Sequence, residues 1–420
     1  MRVVFGLLCI ILPLTAAGVP RDEYRARRTE LRKSIDGVVV LFGSTESEDL
    51  HDAFYQEPNF FYLSGWMEPG AVLILTPREE VFFLPPLDEH DERYNGHRTR
   101  TEDKDVQVKT GFEKVLPRAA LESQFRRISE GYGKIYIMPD SSLPDAYMSP
   151  GMAKKLARLV PMHQTASAAD LIAGFRVKKS PAEIDLIRKA TDATVAAHLA
   201  GWKAVKPGLF EYQLAAVMVN TYSQLGCERS AYAPIVGSGP NGVVLHYSAN
   251  RRRMDSGEVT VVDVGAECSG YTSDVTRTVP VNGKFSPRER ELYEIVLGAE
   301  KAAIAAAKPG ARVRGDGQTL YKIAYDYINT HGQDRHGQPL GKYFNHGLSH
   351  FIGLDVHDPG DINVPLQPGM VISIEPGVYI PEENIGIRIE DTVVVTETGV
   401  DVLSSALPKE PGEIERLIGK

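Results

Sequence analysis

The sequence predicts two joined units, an α/β unit followed by an α+β unit. Three observations carry this. The chain has 420 residues, more than one ordinary core organises. From about residue 21 to 165, short β-branched and aromatic runs alternate with helical stretches, the pattern of a sheet covered by helices. Beyond residue 171 the strand-like runs gather together and long helical stretches flank them, which predicts helices over an antiparallel sheet. The expected boundaries are a leader over 1–18, a first unit over 19–168 and a second over 169–420.

Arg2 precedes an apolar stretch from Val3 to Leu14, and small residues follow at Thr15, Ala16, Ala17 and Gly18. This reads as a secretory signal peptide, so an exported protein, periplasmic or secreted, is expected. A retained anchor or a buried strand are the alternatives. A helix is expected around Arg21 to Ile35, then a buried strand from Val38 to Phe42 ended by Gly43. Phe60-Phe61-Tyr62-Leu63 and Ala71 to Leu75 read as further strands around the turn Glu68-Pro69-Gly70. Val81 to Leu84 is another, stopped by Pro85-Pro86. Ala119 to Ser129 reads as a helix and Lys134 to Met138 as a strand. The polar residues here form no recognisable constellation, so this unit is expected to shape a substrate entrance or a subunit contact.

Ser180-Pro181-Ala182-Glu183 supplies an N-cap serine, proline at the first helical position and glutamate at the third, a strong helix start. The helix runs toward Lys203 and breaks at Lys206-Pro207-Gly208. A second begins at Phe210-Glu211 and runs toward Leu225. Arg288 to Lys308 is a long Ala-rich helix ended by Pro309-Gly310. Val243 to Tyr247, Glu258 to Val264, Tyr271 to Val279 and Val371 to Ile374 read as strands.

The formal net charge is −8, which argues against a nucleic-acid binder and gives no basic face for anionic membranes. No run after the N-terminus is long and apolar enough to span a bilayer. Of three cysteines, Cys9 lies in the leader. Cys227 and Cys268 read as small buried residues, with pairing in an oxidising compartment as the alternative.

Five residues read as one metal site: Asp263, Asp274, His350, Glu375 and Glu390. If Val259 to Asp263 and Thr272 to Thr278 are neighbouring strands, Asp263 and Asp274 share one sheet face. Two buried carboxylates repel, and a cation between them resolves the repulsion. His346, His350 and His357 fall within twelve positions, interleaved with Gly347, Gly353 and Asp358. Four carboxylates and an imidazole suit manganese, cobalt, iron or zinc, and are enough for two divalent ions.

The order Asp, Asp, His, Glu, Glu with these flanks resembles the pita-bread metallopeptidases, over about Leu171 to Leu417. Within them it is most similar to aminopeptidase P, through Gly237 to Tyr247, Val279 to Phe285 and His346 to Asp358. Phe60 to Gly65 with Glu68-Pro69-Gly70 resembles that group's non-catalytic domain. The resemblance implies a pita-bread catalytic domain that removes the residue before a proline from the N-terminus of Xaa-Pro peptides. It implies that Asp263 chelates one metal, that His350 and Glu375 bind the other, and that Asp274 and Glu390 bridge. Manganese is the expected metal. Glu375 would move the proton, while His246 and His357 would hydrogen-bond the developing oxyanion or position the scissile peptide. His346 would line the proline pocket, and Arg388 would hold the ligating carboxylates beside the substrate. A homodimer or homotetramer is expected. Prolidase, a creatinase-like hydrolase and an inactive binding module are the competing readings. One departure is visible: Asp358 to Pro368 contains no arginine, where several relatives carry one.

Overall fold

The computed structural model describes residues 18–46, 53–87, 89–138 and 151–419; the leader lies outside them. The first part is built on a six-stranded mixed sheet. In chain order its strands are β1 (Val38–Phe42), β2 (Val72–Leu75), β3 (Glu80–Leu84), β4 (Val115–Pro117), β5 (Lys134–Ile137) and β6 (Gln164–Ser167), and the spatial order is β4-β3-β2-β1-β5-β6. The hairpin β2–β3 and the pair β1–β2 are antiparallel; β1–β5, β5–β6 and β3–β4 are parallel. Helices α1 (Arg21–Ser34), α2 (Pro58–Ser64), α3 (Glu89–Asn95), α4 (Val106–Thr110), α5 (Leu121–Ser129), α6 (Met152–Leu159) and α7 (Ala168–Arg176) accompany it.

The run Phe60 to Leu63, expected as a strand, is the helix α2. Pro58 stands at its first turn, and the Glu57 carboxylate accepts from the amides of Asn59 and Phe60 at 3.1 and 2.6 Å. Gly65 closes the helix in the left-handed conformation, φ 63°. The cap signals win over the β propensity of the aromatic run because the helix is buried nearly all round.

The second part opens with α8 (Pro181–Ala204), whose Ser180–Glu183 capping box forms as expected, and α9 (Glu211–Gln224). Strands β7 (Arg229–Ser230), β8 (Ile235–Ser238), β9 (Val259–Val264), β10 (Ala266–Cys268), β11 (Tyr271–Thr272) and β12 (Val275–Pro280) follow. Then come α10 (Pro287–Ala306), α11 (Leu320–His331), β13 (Val371–Ile374), β14 (Gly377–Ile380), β15 (Ile385–Arg388), β16 (Asp391–Val395), β17 (Val400–Val402) and α12 (Pro411–Leu417). The sheets β12-β9-β8 and β13-β16-β17 are antiparallel, as is the hairpin β14–β15. Helix α8 packs on α9, and α10 on α11. Every residue of β9 and β12 is buried, including the polar Thr260, Asp263, Thr276, Arg277 and Thr278.

Two strand expectations are corrected. Val243 to Tyr247 is not a strand: Gly239–Val243 is a turn of 3-10 helix leading into a loop. The Glu211 carboxylate, fully buried at the start of α9, takes bonds from Ser238, Asn241, Tyr247 and the Arg252 amide. That carboxylate gathers the segment into a loop. Tyr271 to Val279 is two strands broken at Ser273-Asp274. A Cβ on Gly265 would meet the Ser273 carbonyl oxygen at 1.9 Å, so glycine alone permits the close approach that ends β11 and turns Asp274 inward.

The cysteines are also corrected: Cys227, just beyond α9, is disulfide-bonded to Cys268 at the end of β10. The pairing depends on a long-range contact that cysteine spacing does not encode.

A core of Phe60, Leu63 and Phe82 from the first part with Tyr271, Ile352, Leu354 and Val371 from the second joins the two. Beside it lies a polar knot, buried at Asn59, Arg176, Lys179 and Asp358 and partly exposed at Asp355. Arg176 donates to Asn59 Oδ1 at 2.9 Å, to Asp355 Oδ2 at 2.7 Å and to Asp358 Oδ1 at 2.5 Å, and Lys179 donates to Asp358 Oδ2 at 3.0 Å.

Candidate metal centre

Register places the first two carboxylates. Asp263 lies opposite Thr276 in the β9–β12 ladder, so Asp274, two residues before Thr276, reaches the same face. The Tyr232 hydroxyl lies between Asp263 Oδ1 and Asp274 Oδ1, within hydrogen-bond reach of both, and its single proton is shared between the two carboxylates. His350 is held by its amide on Ser373 Oγ at 3.0 Å, next to β13. Glu375 follows β13, its amide on the Leu348 carbonyl at 2.9 Å. Glu390 joins β15 to β16, its amide on the Thr276 carbonyl at 3.0 Å. The two sheets thereby meet, and all five side chains enter one cavity of about 470 Å3. Asp274, His350 and Glu390 offer ligand atoms within 4.8 Å of one another.

The same cavity takes His246, His346, His357 and Arg388, so every residue singled out in the sequence converges here. Arg388 is buried and donates to Asp263 Oδ2 at 2.6 Å and to the Tyr379 hydroxyl at 2.8 Å. It therefore orients a carboxylate. The Tyr379 hydroxyl lies 3.0 Å from His346 Nε2, while His346 Nδ1 lies 2.7 Å from the Gly347 carbonyl. With Nδ1 protonated toward that carbonyl, Nε2 accepts from Tyr379, and a relay runs from Asp263 through Arg388 and Tyr379 to His346. The His357 ring sits 4.3 Å from that of His350, edge to face. Tyr232 and Tyr379 were not found from the sequence. Neither belongs to a spaced motif, and only the closing of the two sheets brings them in.

Electrostatics fit a divalent cation. Burial raises Glu390 well above the carboxylate range, and the charges of Asp274 and Glu375 add to this. Burial pushes Glu375 up to about 7, opposed by His350. Burial and the Asp263 charge also raise Asp274. Burial works against a proton on His350, but Asp274 and Glu375, 3.4 and 3.5 Å from Nε2, outweigh it and lift the imidazole to about 9. Glu390 Oε2 accepts from Thr276 at 2.7 Å, but the buried Oε1 has no hydrogen-bond partner among the described residues. His350 Nδ1 lies 3.0 Å from the Phe351 carbonyl. Donation there leaves Nε2 facing the carboxylates as a ligand. A hard, oxygen-rich set with an orphaned oxygen and a pre-oriented imidazole is what a divalent metal requires.

Comparison with known proteins agrees. The model of metallopeptidase family M24 matches residues 185–397. The chain belongs to this metallopeptidase family. The aminopeptidase P N-terminal domain matches residues 24–136 of this M24 chain. An Escherichia coli Xaa-Pro aminopeptidase is 33% identical over 439 residues, covering 95% of this chain and 98% of the relative. Human Xaa-Pro aminopeptidase 3 is 31% identical, covering 95% and 86%. The structure of E. coli aminopeptidase P with the inhibitor Pro-Leu superposes with a TM-score of 0.83 at 29% identity, covering 96% and 98%. A Pseudomonas aeruginosa aminopeptidase gives 0.85 at 28%, with the same coverage. The M24 chain thus has the pita-bread catalytic fold behind a smaller N-terminal domain.

Proposed function

We propose that this chain is an Xaa-Pro aminopeptidase, which removes the first residue of peptides carrying proline second. The observation that carries the reading is the convergence of Asp263, Asp274, His350, Glu375 and Glu390 in one cavity, on a chain matched along nearly its whole length by proteins named Xaa-Pro aminopeptidase. The same names favour it over prolidase.

Asp263, Asp274, His350, Glu375 and Glu390 would hold the divalent metal, proposed as two ions; manganese is the proposed metal, and zinc, cobalt or iron suit the same donors. Such ions supply Lewis acidity to the scissile carbonyl and bring the pKa of water near neutrality. The chain's own residues do the rest. Glu375 carries a proton from water toward the leaving proline nitrogen. His246 and His357 line the cavity and hydrogen-bond the oxygen on which charge develops. His346 faces the proline ring. Arg388 fixes Asp263 through its 2.6 Å bond. An Xaa-Pro bond has no N–H at the scissile nitrogen, so this arrangement asks for no such donor.

The proposed setting is export by the N-terminal leader, with a homodimer or homotetramer as the working form. The Cys227–Cys268 disulfide supports an oxidising compartment. No described helix is long and apolar enough to cross a membrane.

The test is turnover of Xaa-Pro dipeptides against tripeptides and longer Xaa-Pro peptides, with manganese restored after chelation. Release of the first residue alone from longer peptides is expected. Cleavage of dipeptides only would make the chain a prolidase.

A further inference from the structure

The metal-ligand cavity has a neighbour. A second cavity of about 340 Å3 lies between the two parts of the chain, with Phe54, Phe61, Met67 and Leu354 among its apolar walls and Arg229 and Glu267 on its polar side. Two stretches of chain wall both cavities. Residues 228–233 put Arg229 into the second and Tyr232 into the first; residues 354–357 put Leu354 into the second and His357 into the first. The stretch from Arg229 to Tyr232 begins in strand β7 and continues its pairing, the Ala231 amide bonding the Gly265 carbonyl. At about 3.3 Å per residue it spans roughly 10 Å. A peptide with its scissile bond beside Tyr232 and His357, extended along this wall, reaches the second cavity about three residues further on.

The lining suits a peptide. The Arg229 guanidinium lies over the Tyr55 ring, 3.4 Å from its centroid, and its Nε donates to Glu267 Oε2 at 2.8 Å. Neither terminal nitrogen of Arg229 has a hydrogen-bond partner among the described residues, and the side chain is 36% exposed. A fork fixed by stacking and one ion pair offers its outer donors to a carbonyl or carboxylate. The aromatic and aliphatic walls take an apolar side chain.

We propose that this second cavity is a distal peptide subsite. It holds an apolar or aromatic side chain about three residues beyond the cleaved bond, while Arg229 hydrogen-bonds the peptide backbone there. The proposal rests on the Xaa-Pro aminopeptidase reading.

The experiment compares Ala-Pro-Gly with Ala-Pro-Gly-Gly-Gly and with the same pentapeptide carrying Phe at its fourth or fifth position, using manganese-loaded enzyme. Phe at one of these positions should lower KM about tenfold against Gly, the size of a partly buried aromatic side chain. Arg229→Gln and Met67→Trp, the latter filling the cavity mouth, should remove that gain and leave Ala-Pro-Gly turnover unchanged. Wild-type enzyme that cleaves all the pentapeptides alike would overturn the subsite while leaving the aminopeptidase reading intact. So would variants that weaken the tripeptide as much as the Phe peptides. Cleavage of none of the peptides would overturn both.

Discussion

Asp274 has a partner on either side of its carboxylate, His350 on one and the Tyr232 hydroxyl on the other, and it is one of the five residues proposed to hold the metal. Asp274→Asn keeps the volume and removes the charge. Turnover should vanish and bound metal should fall, read by elemental analysis of the purified variant; normal metal content with full activity would end the two-ion proposal. His357 makes a different claim. It lines the cavity at a partly exposed position, where partial burial and the neighbouring His350 push its imidazole down to about 4, and a neutral imidazole presents one N–H donor. His357→Ala should lower kcat by roughly two orders of magnitude with KM little changed, as for a lost oxyanion donor. Steady-state kinetics on an Xaa-Pro tripeptide decide it.

Among the elements, α8 stands directly behind the site and carries a pH-sensitive group. His198 is fully buried, its Nε2 3.0 Å from the Val275 carbonyl in β12 and its Nδ1 without a partner among the described residues. Burial, reinforced by the Arg277 charge, pushes it down to about 4. An unfolded histidine titrates near 6.5. Between pH 6.5 and 4 the unfolded chain therefore binds a proton that the folded chain refuses. Stability present above the unfolded value is lost as pH falls through that window. From pH 7 to 4.5 this group should cost roughly 2–3 kcal/mol. His198→Gln keeps a donor for the Val275 carbonyl and removes the titration. Its urea midpoint should fall less steeply with acid than that of the wild type; parallel slopes would contradict the assignment.

At the scale of the whole molecule, two long-range ties carry predictions. The Cys227–Cys268 disulfide closes a separation of 41 residues, which in the chain-entropy picture is worth about 4 kcal/mol. The Cys227→Ser/Cys268→Ser double variant should unfold at lower denaturant concentration, and the wild type should show the same shift after reduction. The Arg176 knot is the second tie. It joins Asn59 of α2 to Asp355 and Asp358, which flank His357. Removing one partner of a buried ion pair leaves an uncompensated charge and costs about 3–5 kcal/mol. Arg176→Leu should lose stability on that scale in chemical denaturation, whereas a change under 1 kcal/mol would show that Lys179 alone satisfies Asp358.

The sequence by itself determined the α/β-then-α+β order, the capped start of α8, and the gathering of Asp263, Asp274, His346, His350, His357, Glu375 and Glu390 as one chemistry. The order and the capped start are legible because caps act within one turn and because element patterning is local; the residues of the site, each weak alone, were gathered by their resemblance to the pita-bread metallopeptidases. The local reading failed where a distant group overrode it. The Glu57 cap and burial made a helix of Phe60 to Leu63. The Glu211 carboxylate bent Val243 to Tyr247 into a loop. The Gly265–Ser273 approach split one expected strand and aimed Asp274. Only the tertiary structure supplied Tyr232 and Tyr379, paired the cysteines and placed a second cavity beside the first. Each of these rests on contacts between segments far apart in the chain, whose register is set when the two sheets and the preceding domain pack together.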